Sequence, residues 1–254
     1  MKKPNNLIYS IYINEKRYDM FTPIDNRSIK QWAKSVLSDQ KGNYTIWYAG
    51  AIIALVSFLS TRATSQQQYV EALGEYMTVA KPTLIASLVS TFIVPAVNVG
   101  AARFFMNVAY NKEYSLYDMA FGFFNYIKVM LTQALTGLCI ALWSLLFLVP
   151  GIIKAIAWSF VPQILAENPN VGVTEAMKIS AVLTDGRKGE LFKFYLSFFG
   201  WFLLQAITFF AAGVYVQPLL LTAKSAVYDI MKGDAINQGR ITEDVFIPNN
   251  FMSM

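Results

Sequence analysis

The residues able to do chemistry in this 254-residue chain are few, and the first fact about them is an absence: there is no histidine. Without imidazole, Ser-His-Asp and Cys-His nucleophile systems are excluded, and so is the commonest metal ligand. A single cysteine, Cys139, leaves no intrachain disulfide and no thiolate zinc site. It lies in a long apolar run and reads as a small buried hydrophobe. No GxxxxGK[ST] phosphate loop occurs, so the chain has no ATPase of its own. The acidic residues Glu71, Glu75, Glu113, Asp118, Glu167, Glu175, Asp185 and Glu190 fall between apolar runs, which leaves no carboxylate deep in a span for proton coupling. The expectation is no catalytic residue, no metal, no cofactor and no enzyme.

What remains is a set of polar groups inside apolar surroundings: Asn98, Gln133, Gln163, Gln205, Gln217 and Lys224. Burying such groups in lipid is costly unless they face other helices or water. The amides read either as hydrogen bonds between helices or as part of a ligand or lipid site. Lys224 is the sharper candidate, because it lies well inside the last apolar helix, roughly ten residues from either end. Either it faces an aqueous pocket, an anionic lipid or a substrate group, or the helix sits shallower than drawn. Lys154, just after the pair Pro150-Gly151, reads as a lysine that snorkels to an interface.

The elements that would carry these residues follow from the distribution of charge. Apolar residues make up 55% of the chain and charged ones 15%, with 19 Phe, 14 Tyr and 5 Trp. A soluble domain of average usage carries roughly a quarter charged residues. Gly42–Thr61, Pro82–Ala102, Val129–Ile153 and Phe194–Ala223 contain no charge at all, and about 20 apolar residues suffice to cross a hydrocarbon core. The fold class expected is therefore all-α, a polytopic transmembrane helix bundle of about six spans with amphipathic interfacial helices. The spans are placed at about 44–60, 83–102, 126–149, 152–167, 194–212 and 214–231. Pro95 should kink the second, and Pro218 falls in the first turn of the last. Pro150-Gly151 should stop the third helix and turn the chain, leaving 152–167 either to span or to enter and leave on one side.

Outside the spans, Ile29, Trp32, Ala33, Val36 and Leu37 recur at one helical face, with Lys30 and Lys34 on the other. Such a helix either lies in the interface, with Trp32 at headgroup depth, or packs on the protein's own end. A second amphipathic helix has Thr174 as its cap, Ala176, Ile179 and Leu183 on one face, and Asp185-Gly186 as its stop. Residues 1–25 form an N-terminal extension with an alternating patch at Leu7–Ile13, 26–233 the membrane domain, and 234–254 a polar C-terminal tail. The N-terminus carries no apolar stretch with a cleavage site behind it, so it is not read as a secretory signal. The net charge of +5 comes from residues that flank apolar segments, which argues against a nucleic-acid patch. Segments on one side of the spans hold eight, three (counting Lys128 in the first turn of the third span), four and at least two Lys or Arg, against Arg62, Lys81 and Lys154 on the other. The positive-inside rule then puts both termini in the cytoplasm.

The stretch LWSLLFLVPGIIKAIAWSFVPQILAENPN, followed by EAMKIS, LSFFGWFLL and QPLLLTAKSAVYDIMKG, resembles the bacterial integral membrane family catalogued as domain of unknown function nine hundred and seventy-five, common in Firmicutes. The resemblance runs from near Ser28 to about Gly233. Two positions depart from the family's pattern: Glu167 stands where an aspartate is usual before Asn-Pro, and Leu219 where a tyrosine is expected. The resemblance implies a Gram-positive cytoplasmic membrane and a six-helix fold, and assigns no activity.

Two functional readings follow. The first is a non-enzymatic membrane module that binds a lipid, a peptide or a partner membrane protein, of accessory or immunity type, its immediate partner being the lipid bilayer. The second is a small permease with a site near Lys224, suggested by the breaks at Pro95, Pro150 and Pro218. An intramembrane enzyme has no constellation behind it.

Overall fold

A computed structural model describes residues 24–40, 44–60, 63–70, 75–208 and 211–247, with 63–70 and 75–82 described as backbone alone. The Leu7–Ile13 patch, nearly all of the N-terminal extension and residues 248–254 lie outside the described residues. The helices are α1 (Asn26–Asp39), α2 (Thr45–Ser60), α3 (Leu84–Ala109), α4 (Tyr126–Leu146), α5 (Leu148–Ala157), α6 (Val161–Glu167), α7 (Val173–Thr184), α8 (Lys188–Ser197), α9 (Phe199–Ile207) and α10 (Gly213–Asn237). Short 3-10 turns cover Leu116–Phe123 and Glu243–Phe246.

The fold is that of a helical bundle with one addition. Strands β1 (Ala63–Val70) and β2 (Glu75–Pro82) form an antiparallel hairpin that pairs Ala63 with Pro82 and Val70 with Glu75. Three helical stretches, Leu84–Ala109, Tyr126–Leu146 and Leu148–Glu167, are long and apolar enough to cross a membrane, and α2 is apolar but shorter. In α4 only 17% of the apolar window is buried inside the protein. A helix apolar on all sides yet uncovered by protein needs lipid around it, and the chain is membrane-associated on that ground.

The helix breaks differ from the sequence expectation in instructive ways. Pro95 is preceded by a π-helical turn at Val89–Ile93, a widened turn that accommodates the missing donor without ending the helix. Between α4 and α5 the chain turns at Phe147, whose backbone is extended, and not at Pro150-Gly151. Pro150 sits in the first turn of α5, where a missing N–H is harmless. Gly151 is where α5 touches α4, since a Cβ there would overlap the Ser144 side chain. The expected span from Phe194 is split at Phe198 between α8 and α9. Pro218 lies inside α10 and not in its first turn.

The buried core does not coincide with the longest apolar helices. In α3 the stretch to Ile93 exposes Leu84, Ile85, Leu88 and Phe92, whereas Ala96 to Ala109 is mostly buried by protein. The chain after α3 folds back along it. A Cβ on Gly100 would run into the Met119 backbone, and one on Gly122 into the Ala96 backbone. Tyr126 at the start of α4 donates to the Phe92 carbonyl at 2.9 Å, so α4 begins near the level of Phe92, in the first half of α3. The core is filled by Phe104, Phe105, Phe160, Ile164, Leu183 and Tyr228, all essentially inaccessible. The molecule thus has an exposed apolar end and a protein-filled end.

α1 belongs to the protein-filled end. Ile29, Ala33 and Leu37 are buried and Trp32 and Val36 pack against the core, which selects the packed alternative over an interfacial one. Lys34 is exposed, but Lys30 turns inward, with Nζ 2.5 Å from the Ser197 carbonyl and 4.3 Å from the centre of the Phe198 ring. Burial, with the nearby Lys34 charge adding to it, holds the Lys30 pKa below the usual lysine value. Asp25 caps α1 by accepting from the Ser28 hydroxyl and the Ser28 and Arg27 amides, which lowers its pKa. In α7 the first turn is held by Glu175, which accepts from the Gly172 amide at 3.1 Å, while Thr174 is exposed and does not cap. Ala176, Ile179 and Leu183 are buried as expected, and Gly186 takes the positive φ of 76° at the helix stop. α10 continues past residue 234 to Asn237, and Phe246 is buried beyond it, so 234–247 packs as part of the fold.

The Gly100 contact gives a direct test. Because a backbone carbonyl cannot swing aside, Gly100→Leu should lower stability by about 3 kcal/mol, read as a drop in the thermal unfolding midpoint in detergent. An unchanged midpoint would mean that α3 and the following turn are not in backbone contact.

Candidate functional site

α10 is the helix on which the others converge: it packs on α1, α2, α3, α7 and α9. One of its faces carries Lys224, Tyr228 and Lys232 at intervals of four residues. Opposite stands α6, running in the same direction from Phe160 to Glu167. The Phe160 and Tyr228 rings lie 5.5 Å apart. Glu167 accepts from the Tyr228 hydroxyl at 2.6 Å and from Lys232 Nζ at 2.5 Å. Lys232 also lies 4.1 Å from the centre of the Phe246 ring, and Asn168 donates to the Val245 carbonyl at 2.9 Å, so the C-terminal turn closes over this pair.

Further charged contacts tie the same end together. Asp229 accepts from the Tyr110 hydroxyl. Arg103 donates to the Ala166 carbonyl at 3.1 Å, lies 3.7 Å from Asp118 and stacks on Phe121 at 3.9 Å. Arg187 pairs with both Glu190 and Asp234. Asp185, paired with Lys188 at 3.2 Å, has its pKa lowered chiefly by that bond. Asp229 is the residue that the sequence reading passed over: it is an acidic side chain inside the last helix, masked because it sits where the apolar pattern is already fading. Glu167 is the last residue of α6 and not part of a loose connector.

Lys224 stands apart. It is half-buried, and among the described residues it makes no hydrogen bond or ion pair; its Nζ lies 6.0 Å from the centre of the Phe160 ring. Its depth is fixed by the contact of α2 with α10. A Cβ on Gly50 would meet Val214 and Pro218, and one on Gly213 would meet Ala54, so the two helices run antiparallel. Counting back from Gly50 to Thr45 and forward from Pro218 by a similar number reaches Ala223. At about 1.5 Å per residue, Lys224 is level with the start of α2, the turn that carries the exposed Tyr44 and Tyr48, and not at mid-span. Gln217 and Leu221 continue the same half-buried stripe toward the apolar end.

The other polar candidates do not converge on it. Asn98 is exposed on α3. Gln133 is half-buried, with its Nε2 unpaired. Gln205 is buried against Gly213 at the start of α10. Gln163 is buried on α6 with its Oε1 unpaired. Lys154 lies 5.0 Å from the Trp143 ring centre and 5.5 Å from that of Trp158, an aromatic clasp and not a free snorkelling chain. Cys139 is half-buried on α4 and packs against the core.

Residues 145–234 match the model of the family described as Protein of unknown function (DUF975). The matched segment runs from the end of α4 through most of α10 and includes Lys224, Tyr228, Glu167 and Lys232; it is shorter at its N-terminal side than the resemblance noted from sequence. No curated protein and no solved structure matches the chain.

The two kinds of charge should respond oppositely to removal. Glu167→Ala strips Tyr228 and Lys232 of their acceptor and should cost about 2 kcal/mol. Lys224→Met removes a charge that nothing described compensates, and should leave the detergent unfolding midpoint unchanged or raised. A Lys224→Met loss as large as that of Glu167→Ala would mean that Lys224 is held by a partner of its own.

Proposed function

We propose that this chain is a multi-pass module of a bacterial cytoplasmic membrane, crossing it about six times with both termini on the cytoplasmic side, and that it binds a membrane ligand instead of catalysing a reaction. The observation that carries the topology is the gathering of described ion pairs at one end. Arg103–Asp118, Arg187–Asp234, Arg187–Glu190, Lys188–Asp185 and Lys232–Glu167 all lie where α3 and α6 finish, α8 starts and α10 finishes. Alternating helices with their charges at a common end fit alternating passes through hydrocarbon, with the Lys and Arg excess marking the cytoplasmic side. In this reading α8 and α9 together make the fifth pass, and the β-hairpin lies on the outer face.

A binding role is favoured because the carboxylates of the charged end are already engaged. Glu167 is held by Tyr228 and Lys232, Asp229 by Tyr110, and Asp234 and Glu190 by Arg187. An acid or base needs a proton site within reach of a substrate, and these carboxylates are committed to partners within the protein. Lys224 level with the start of α2 weighs against a permease with a mid-membrane site, for which interrupted helices would have to meet at a central cation.

The topology is tested with single cysteines in a Cys139→Ala background, labelled in intact cells by a membrane-impermeant maleimide. Gln67→Cys in the hairpin should label from outside, whereas Ser35→Cys and Ser115→Cys should label only after the cells are opened. Outside labelling of Ser35→Cys, or protection of Gln67→Cys, would overturn the arrangement.

A further inference from the structure

Resting on the topology above for the side of the membrane it faces, we infer that Asn168 and Lys232 form a docking site for a partner protein's peptide, a single helical turn ending in a buried aromatic residue, and that the chain's own residues 241–247 fill this site in cis. The occupant is present in the structure, so the space it needs is seen directly. Phe246 closes the 3-10 turn Glu243–Phe246 and is 3% exposed, with the Lys232 ammonium 4.1 Å from the centre of its ring. Asn168, itself 5% exposed, donates from Nδ2 to the Val245 carbonyl at 2.9 Å and to the Ile247 carbonyl at 3.3 Å. These are the carbonyls on either side of the anchor, and the last carbonyls of any short helical turn lack donors of their own. The Asn168 Oδ1 accepts from the Asn170 amide at 3.0 Å, which holds the side chain in position for the two bonds.

The contacts define what the site recognises. Thr242, Glu243 and Asp244 are exposed, so the side chain that matters most is the buried ring, and a ring under an ammonium favours an aromatic residue over an aliphatic one. The rest of the recognition goes to main-chain carbonyls and is independent of sequence. The way residues 241–247 are attached makes them a ligand more than a fixed element. Gly239, at a φ of 66°, turns the chain out of α10, and Arg240 donates to the Val182 carbonyl at 2.8 Å. Beyond that point, among the described residues, no backbone-to-backbone hydrogen bond ties the segment to another element. It is held by one ring, one amide and the partial packing of Ile241 and Val245 on the core. The site residues Asn168 and Lys232 fall within the matched segment 145–234, whereas the occupant lies outside it. A tethered segment competes at an effective concentration on the order of millimolar. The site therefore stays closed to weak peptides in solution and opens to a partner that binds more tightly or is concentrated beside it.

The probe is a fluorescein-labelled peptide with the sequence of residues 239–247, added to the full chain in detergent and read by fluorescence anisotropy. Wild type should not take it up at micromolar concentration, because the site is filled in cis. Full-length Phe246→Ala empties the anchor position and should bind the peptide saturably. A peptide that itself carries Phe246→Ala should bind about tenfold more weakly or worse, and adding Asn168→Ala to the Phe246→Ala chain should weaken the unaltered peptide by a similar factor. A protease site inserted between Gln238 and Gly239 covers the case in which Phe246→Ala fails to fold: the folded chain is cut, and the released segment should exchange with the labelled peptide. No uptake by either the Phe246→Ala or the cut chain overturns the inference. Equal uptake by wild type and Phe246→Ala does so too, as does equal affinity for the peptides with and without the ring. The anisotropy reads the site in detergent and the maleimide pattern reads the side of the membrane, so loss of the docking site and loss of the topology are told apart.

Discussion

Hydrocarbon solvates neither charge nor an unpaired backbone group, and that single constraint orders the molecule. It makes helices of the segments that lie in lipid, because a helix satisfies its own amides. It also drives the ionised side chains to one end, where Arg103, Glu167, Arg187, Lys232 and Asp234 find one another. The protein-filled core sits at that same end and not among the most apolar helices. Lipid can cover Leu138, Leu142, Leu145 and Phe147; it cannot cover the polar connectors, which must be packed by other parts of the chain.

Two kinds of contact hold this end. Glycines allow backbones to touch, at Gly100 against Met119 and Gly122 against Ala96, so that the connector after α3 lies flat along it. Shared acceptors then fix the helices in register: Glu167 joins α6 to α10, and the Ala166 carbonyl joins α6 to α3 through Arg103. Short helices such as α6 gain little stability by themselves, and their place is set by these tertiary contacts. Lys224 is outside this scheme, which is why its charge is informative.

Much of the architecture was legible in the sequence because it rests on patterns with a single cause. Charge-free runs located α2, α3, α4 and α5, and the spacing of Ile29, Ala33 and Leu37 located α1 and its buried face. What was not legible depends on tertiary placement. Pro150-Gly151 looks like a stop signal, but the turn falls at Phe147 and Gly151 serves a helix contact that no local pattern announces. The depth of Lys224 follows from how far α10 slides past α2, a quantity set by Gly50 and Pro218 meeting across two helices. The β-hairpin had a signal in its Tyr and Val residues around Gly74, obscured by the polar run of glutamines. The fate of the candidate amides, exposed in Asn98 and buried in Gln163, depends on which helix faces have neighbours.

The level at which α4 begins has a mechanical side. Tyr126 starts beside Phe92, so α4 rises about 30 Å above that point while α3 continues only about 12 Å to Leu84. The apolar girdle is therefore tall on one flank and short on the other. A bilayer of uniform thickness cannot match both, so its lipids must stretch against one side and compress against the other, or the whole bundle must lean. Hydrophobic mismatch of this lopsided kind makes tilt and lateral sorting depend on membrane thickness, independently of any ligand.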